Sequence, residues 1–132
     1  MPFEGEYFNE ELSVLEHFKY GKLFLRGTKN AYISFVPNAM IEEICKSYSI
    51  NYSAIISRLR RRGIRLRFKE LRSYHNSYLR KNGIISELVD VLAGRVPKTV
   101  FAMHYLGEDM KAFSNQVLEI ENSLEKTLLC YE

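Results

Sequence analysis

The sequence predicts a mainly α domain with one small β-hairpin or sheet, and three observations carry that expectation. Apolar residues recur at three- and four-residue spacing in several separate stretches. Glycines at Gly21, Gly63, Gly83 and Gly94 fall where those stretches stop, which is where a left-handed residue closes a helix. One pair of short apolar and aromatic runs, LFLRG and AYISFVP, flanks a Gly27-Thr28-Lys29-Asn30 turn, the pattern of a hairpin.

Taken in order, Asn9 followed by Glu10, Glu11, Leu12, Val14, Leu15 and Phe18 reads as a capped first helix ending near Tyr20-Gly21. The hairpin follows, and Pro37 ends its second strand. Asn38 caps a helix running to about Ser49, with Met40, Ile41, Ile44 and Cys45 inward, and Asn51 caps another, YSAIISRLRRRG, stopped by Gly63. From about Phe68 a helix carries Leu71, Tyr74, Tyr78 and Leu79 on its inner side and stops at Asn82-Gly83. A short helix over 84–93 closes at Gly94, another runs from Pro97 to Leu106, and an amphipathic one runs from about Glu108 to Leu129. No linker, repeat or low-complexity stretch interrupts the series, so residues 1–132 read as a single domain.

At 132 residues and 46% hydrophobic composition, the chain is long enough to bury a core without a metal or disulfide. Cys45 and Cys130 lie far apart, with no CxxC and no cysteine-histidine cluster, which excludes a zinc-finger pattern and points to reduced thiols. No metal or cofactor is expected, and the absence of a basic leader or long apolar run predicts a cytoplasmic protein without a membrane partner. The net charge is +3, but it is unevenly spread. Between Arg58 and Lys81 ten basic residues face a single acid, Glu70, whereas both ends of the chain are acidic. Such a basic middle suits a phosphate backbone, with Arg58, Arg60, Arg61, Arg62, Arg65 and Arg67 as the expected DNA contacts.

Lys69 and Arg72 sit three apart, on one side of the expected helix, and can hold one phosphate together. The stretch KELRSYHNSYLRKNG followed by IISELVDVLAGRVPKTVFAMHYL resembles the C-terminal catalytic core of tyrosine recombinases, in the variant found in integrases of archaeal viruses. The parts of that resemblance are Lys69-x-x-Arg72, the Gly94-Arg95 turn, and Tyr105 about ten residues beyond it. The segment TKNAYISFVP is similar to the one bearing the family's lysine, which falls here on Lys29.

The resemblance implies site-specific recombination of double-stranded DNA at an attachment site, through a 3′-phosphotyrosyl intermediate. Tyr105 would be the nucleophile, Arg72 and Arg95 the transition-state donors, Lys29 the acid for the departing oxygen, and Lys69 an assisting group. It also implies self-association on DNA, as a tetramer in the family, within the host-cell cytoplasm. In two respects the chain departs from the pattern. The family's further arginine, expected on a helix ahead of the hairpin, would fall near Phe8 in YFNEELSVL, where nothing is basic; Arg26 falls on a strand and receives little weight. The amino-terminal DNA-clamping domain of complete integrases is also expected to be absent. The chain is therefore expected to be either a catalytic-type domain or a non-catalytic DNA-binding remnant, with a helical transcription regulator as a third reading.

Overall fold

The computed structural model describes residues 7–27, 29–97, 99–101 and 109–130. Among these it is mainly helical, with a small sheet and a separate hairpin, as the sequence predicts. The elements are β1 (Phe8–Asn9), β2 (Val14–Leu15), a 3-10 turn (His17–Tyr20), α1 (Gly21–Phe24), β3 (Leu25–Arg26), β4 (Lys29–Asn30), β5 (Ser34–Phe35), α2 (Asn38–Lys46), α3 (Tyr52–Arg61), α4 (Phe68–Lys81), α5 (Ser86–Leu92) and α6 (Met110–Leu129). Residues 99–101, between α5 and α6, are also helical.

The expected first helix is replaced by a strand pair. Asn9 does act as a cap, its Oδ1 accepting from the Leu12 N–H at 3.2 Å, but the turn it starts is not propagated. Ser13 takes a positive φ of 52° and its carbonyl accepts from Val36 N–H at 2.9 Å. Val14 and Leu15 then become the middle strand of an antiparallel sheet ordered β1-β2-β5. Both are buried, since a central strand is covered on both faces, so apolar neighbours that imitated a helical stripe are a short buried strand.

The expected hairpin forms at β3 and β4, with Leu25 opposite Asn30 and Arg26 opposite Lys29. The AYISFVP run does not extend it. Its strand, β5, pairs instead with β2, so the sheet and hairpin are distinct. Asn38 does not cap α2. Its Oδ1 accepts from Ser13 Oγ at 2.8 Å and its Nδ2 donates to Glu10 O at 3.3 Å, fastening the helix start to the β1–β2 turn. Asn51 caps α3 as expected, accepting from Ala54 N–H at 2.8 Å.

The core joins Val14, Tyr32, Ile33 and Phe35 to Leu79, Ile84, Val89, Val91, Phe101, Phe113 and Val117. The first half of α6 closes it: Phe113 meets Phe35 edge to face at 5.0 Å, and Ser114 Oγ donates to Leu12 O. Towards its end α6 leaves the core, with Leu128 and Leu129 exposed. Neither α2 nor α3 fully buries a residue; of the inward stripe expected at Met40, Ile41, Ile44 and Cys45, the last three are partly buried and Met40 is exposed. On α4, Leu79 and Asn76 are the buried residues, while Leu71 and Tyr74 face out, contrary to their expected inward place.

His17 shows how polar groups are accommodated in this packing. It is buried, with Nδ1 2.6 Å from the Tyr7 hydroxyl and Nε2 2.8 Å from Ser34 Oγ. A neutral imidazole satisfies both by accepting from one hydroxyl and donating to the other. Burial lowers its pKa below the ordinary 6.5, because the charged ring loses water. The folded state therefore binds this proton less readily than the unfolded chain, and the stabilisation, complete above about pH 6.5, is lost as pH falls through the folded pKa. Urea melts between pH 8 and pH 5 are expected to show wild type losing more stability on acidification than His17→Gln, a difference that separates His17 from the other histidines. Parallel curves for the two proteins would contradict this assignment.

Candidate active-site cleft

The cleft is organised by the end of α5. Gly94 N–H donates to Val91 O at 3.0 Å and Arg95 N–H donates to Asp90 O at 2.8 Å, the paired bonds of a Schellman stop. Gly94 has φ 68°, and its Cα lies against the hairpin so closely that a Cβ there would sit 1.5 Å from Asn30 O. Only glycine admits both the left-handed backbone and this approach.

Neighbouring contacts hold the same junction. The Tyr32 hydroxyl donates to Val96 O at 2.6 Å, and the Tyr32 ring stacks on Phe101 at 4.4 Å with an 11° interplanar angle. Arg72, reaching from α4, donates through Nη2 to Ala93 O. Hairpin, α4 and the α5 stop are thereby tied to one point.

A cleft of about 510 Å³ opens there, lined by Leu23, Phe24, Arg26, Asn30, Ala31, Arg72, Ala93, Gly94 and Arg95. Among the described residues that line it, three are arginines and none is acidic. An exposed set of like charges with no carboxylate among them favours an anion, and planar guanidiniums match non-bridging phosphate oxygens. Arg95 also meets Asp90 just outside the lining, Nη1 to Oδ1 at 3.3 Å, and the same carboxylate oxygen takes Arg80 Nη2 at 3.2 Å. With both pairs largely solvated, Asp90 orients Arg95 more than it stabilises the fold.

The sequence-expected residues are distributed around this cleft unevenly. Arg72 and Arg95 come together in it. Lys29 is placed by its backbone in β4, opposite Arg26 and next to the lining residue Asn30. Lys69 is exposed on α4, one turn before Arg72, and does not line the cleft. Tyr105, and with it the expected helix from Pro97 to Leu106 beyond residue 101, lies outside the described residues.

Arg58, Arg60, Arg61, Arg62, Arg65 and Arg67 are all exposed, on α3 and the segment leading to α4. A second groove separates these two helices, with Arg60, Arg65 and Arg67 in its lining beside Tyr52, Ile56 and Leu59. Tyr52 and Phe68 join its walls, their rings 5.3 Å apart. Arg26, which the sequence reading gives little weight, also lines the cleft. It stands opposite Lys29 in the register of the β3–β4 hairpin.

A small, mainly helical domain with an acid-free arginine cleft is thus the class of protein the fold and site define. A family model described as archaeal phage integrase matches residues 7–118, and the chain belongs to that family. The match runs from Tyr7 through the cleft and into α6. No curated protein and no solved structure matches the chain. Membership of an integrase family implies DNA integration as the activity and DNA as the partner. No helix among the described residues is long and apolar enough to cross a membrane.

The Gly94 contact can be measured directly. Gly94→Ala is expected to cost more than about 2 kcal/mol, combining a left-handed penalty of roughly 1–2 kcal/mol with overpacking against Asn30. Gly63 has φ 76° but nothing within 4 Å of an added Cβ, so Gly63→Ala is expected to cost only the backbone penalty, about 1–2 kcal/mol. Equal losses for the two variants in urea denaturation would show that the junction is looser than described.

Proposed function

We propose that this chain is the catalytic-type domain of a tyrosine recombinase, which cleaves and rejoins double-stranded DNA at an attachment site. The observation that carries the proposal is the convergence of Arg72 and Arg95 on one acid-free cleft against the hairpin that holds Lys29. In the reaction, the Tyr105 oxygen attacks the scissile phosphorus in line and loses its proton as the bond forms. The bond from phosphorus to the 5′ oxygen breaks, Lys29 protonates that oxygen, and a 3′-phosphotyrosyl link retains the energy for rejoining. Attack by a 5′ hydroxyl on the same phosphorus reverses the step and releases Tyr105.

Charge accumulates on the non-bridging oxygens during both displacements, so Arg72 and Arg95 bind the transition state more tightly than the ground state. Lys69, one turn from Arg72, assists from the rim. Tyrosine has an ordinary pKa of about 10, and a cationic surrounding lowers the cost of removing its proton near neutral pH. The arginines from Arg58 to Arg67 contact phosphates along the duplex and supply affinity with little sequence information. Self-association on DNA, as a tetramer in the family, belongs to the same reading, and the exposed Leu128 and Leu129 at the end of α6 offer apolar surface for it.

One observation favours a second reading. The stretch where a further arginine is expected forms β1, with Phe8 half-buried and nothing basic between Tyr7 and Leu15. Loss of a transition-state donor costs roughly 3–4 kcal/mol, a few hundredfold or more in rate, and would leave a DNA-binding remnant.

A nicked suicide duplex carrying the attachment site distinguishes the readings. A covalent protein–DNA band on a denaturing gel, absent with Tyr105→Phe, is the expected result; its absence from wild type favours the remnant. On intact duplex, replacing Arg60, Arg61 and Arg62 by alanine is expected to weaken binding and flatten the dependence of log K on log salt, by roughly 0.9 for each phosphate that is no longer neutralised. An unchanged slope would remove this strip from the DNA interface.

A further inference from the structure

We propose that Arg26 is a third phosphate-contacting arginine of the cleft, acting with Arg72 and Arg95 on the same phosphodiester. This rests on reading the cleft as the seat of a DNA phosphate. Three independent features of the structure lead to it.

Arg26 lines the cleft and is exposed within it. The other two guanidiniums each commit a donor to the protein, Arg72 to Ala93 O and Arg95 to Asp90. Arg26 makes no hydrogen bond or ion pair among the described residues, so its donors remain available to a ligand. Of the three, it is the one without a hydrogen-bond partner among the described residues.

The backbone beneath it is well anchored. Arg26 is held in register opposite Lys29, and the adjoining Asn30 carbonyl is the atom against which Gly94 packs. Ala31 N–H donates to Phe24 O at 3.0 Å, continuing the ladder at the other end of the hairpin. A group mounted on this hairpin therefore keeps a defined position relative to Arg95, as transition-state stabilisation demands.

Finally, charge balance points the same way. Three arginines without an acidic lining residue repel one another, and an anion shared among them relieves that repulsion. Arg26 thus gives the cleft a third positive group, on the strand paired with that of Lys29.

The test uses the full chain with Arg26→Ala, Arg26→Lys, Arg72→Ala and the double alanine variant, on the nicked suicide duplex and on intact duplex. Circular dichroism establishes that each variant is folded, and the exposed position of Arg26 predicts an unchanged thermal midpoint. Adduct formation by Arg26→Ala is expected to slow about a hundredfold or more, with partial recovery in Arg26→Lys. The double variant is expected to lose much less than the product of the single losses, because both arginines act on one phosphate. An Arg26→Ala rate within threefold of wild type, or single losses that multiply fully, would overturn the assignment. If wild type itself forms no adduct, the cleavage reading fails while the Arg26 assignment is still decided on intact duplex. There the same coupling must appear in affinity, and independent, additive losses for Arg26 and Arg72 would sink it.

Discussion

The contact between Gly94 and the Asn30 carbonyl is the constraint on which the cleft depends. Two backbone segments approach more closely than any side chain would permit, at a residue whose φ is already left-handed. The approach brings the end of α5 onto the hairpin, so that groups far apart in sequence share one wall. Tyr32 makes the junction stiffer, since its ring is buried against Phe101 while its hydroxyl holds Val96 O. The same tyrosine belongs to the core cluster, so the hydrophobic interior and the cleft are a single mechanical unit.

That unit also explains how a concentration of positive charge is tolerated. The carbonyls at the end of α5 carry the negative end of the helix dipole, and Ala93 O accepts from Arg72 there. Asp90, one turn earlier, holds Arg95 and Arg80 from outside the lining. These groups offset repulsion without placing a carboxylate where an anion must enter. The arrangement suits chemistry in which charge develops on phosphate oxygens, because the donors are oriented before the ligand arrives.

Away from the cleft the chain has a different character. The helices α2 and α3 bury no residue, and most of the arginine-rich strip lies on α3 and the segment after it. A surface that contributes little to the core is free to be selected for charge. The groove between α3 and α4, with its aromatic closure by Tyr52 and Phe68, keeps that strip attached to α4 and hence to Arg72. The arginine strip and the cleft are therefore neighbouring parts of a continuous surface.

Local signals were legible in the sequence wherever backbone geometry is decided within a few residues. The stops at Gly63, Gly83 and Gly94 and the Asn51 cap appear as read, and Gly27 takes the positive φ of a turn although Lys29 and Asn30 belong to the strand, because helix ends and tight turns depend on nearby hydrogen bonds and on which residues accept a positive φ. The family was legible through the spacing of its pattern, as the archaeal phage integrase match shows, and Arg72 and Arg95 of that pattern line one cleft. The sheet was not legible. Val14 and Leu15 satisfy a helical stripe as readily as a buried strand, and only β1 and β5, one of them about twenty residues away, decide between the two. Arg26 was obscured for the same reason: its neighbours in the chain describe a strand, while its neighbours in space are two other arginines. What the sequence determined by itself were the glycine stops and the Asn51 cap; tertiary packing alone decided strand pairing, the role of Asn38 and which charges meet, because those depend on contacts between residues far apart in the chain.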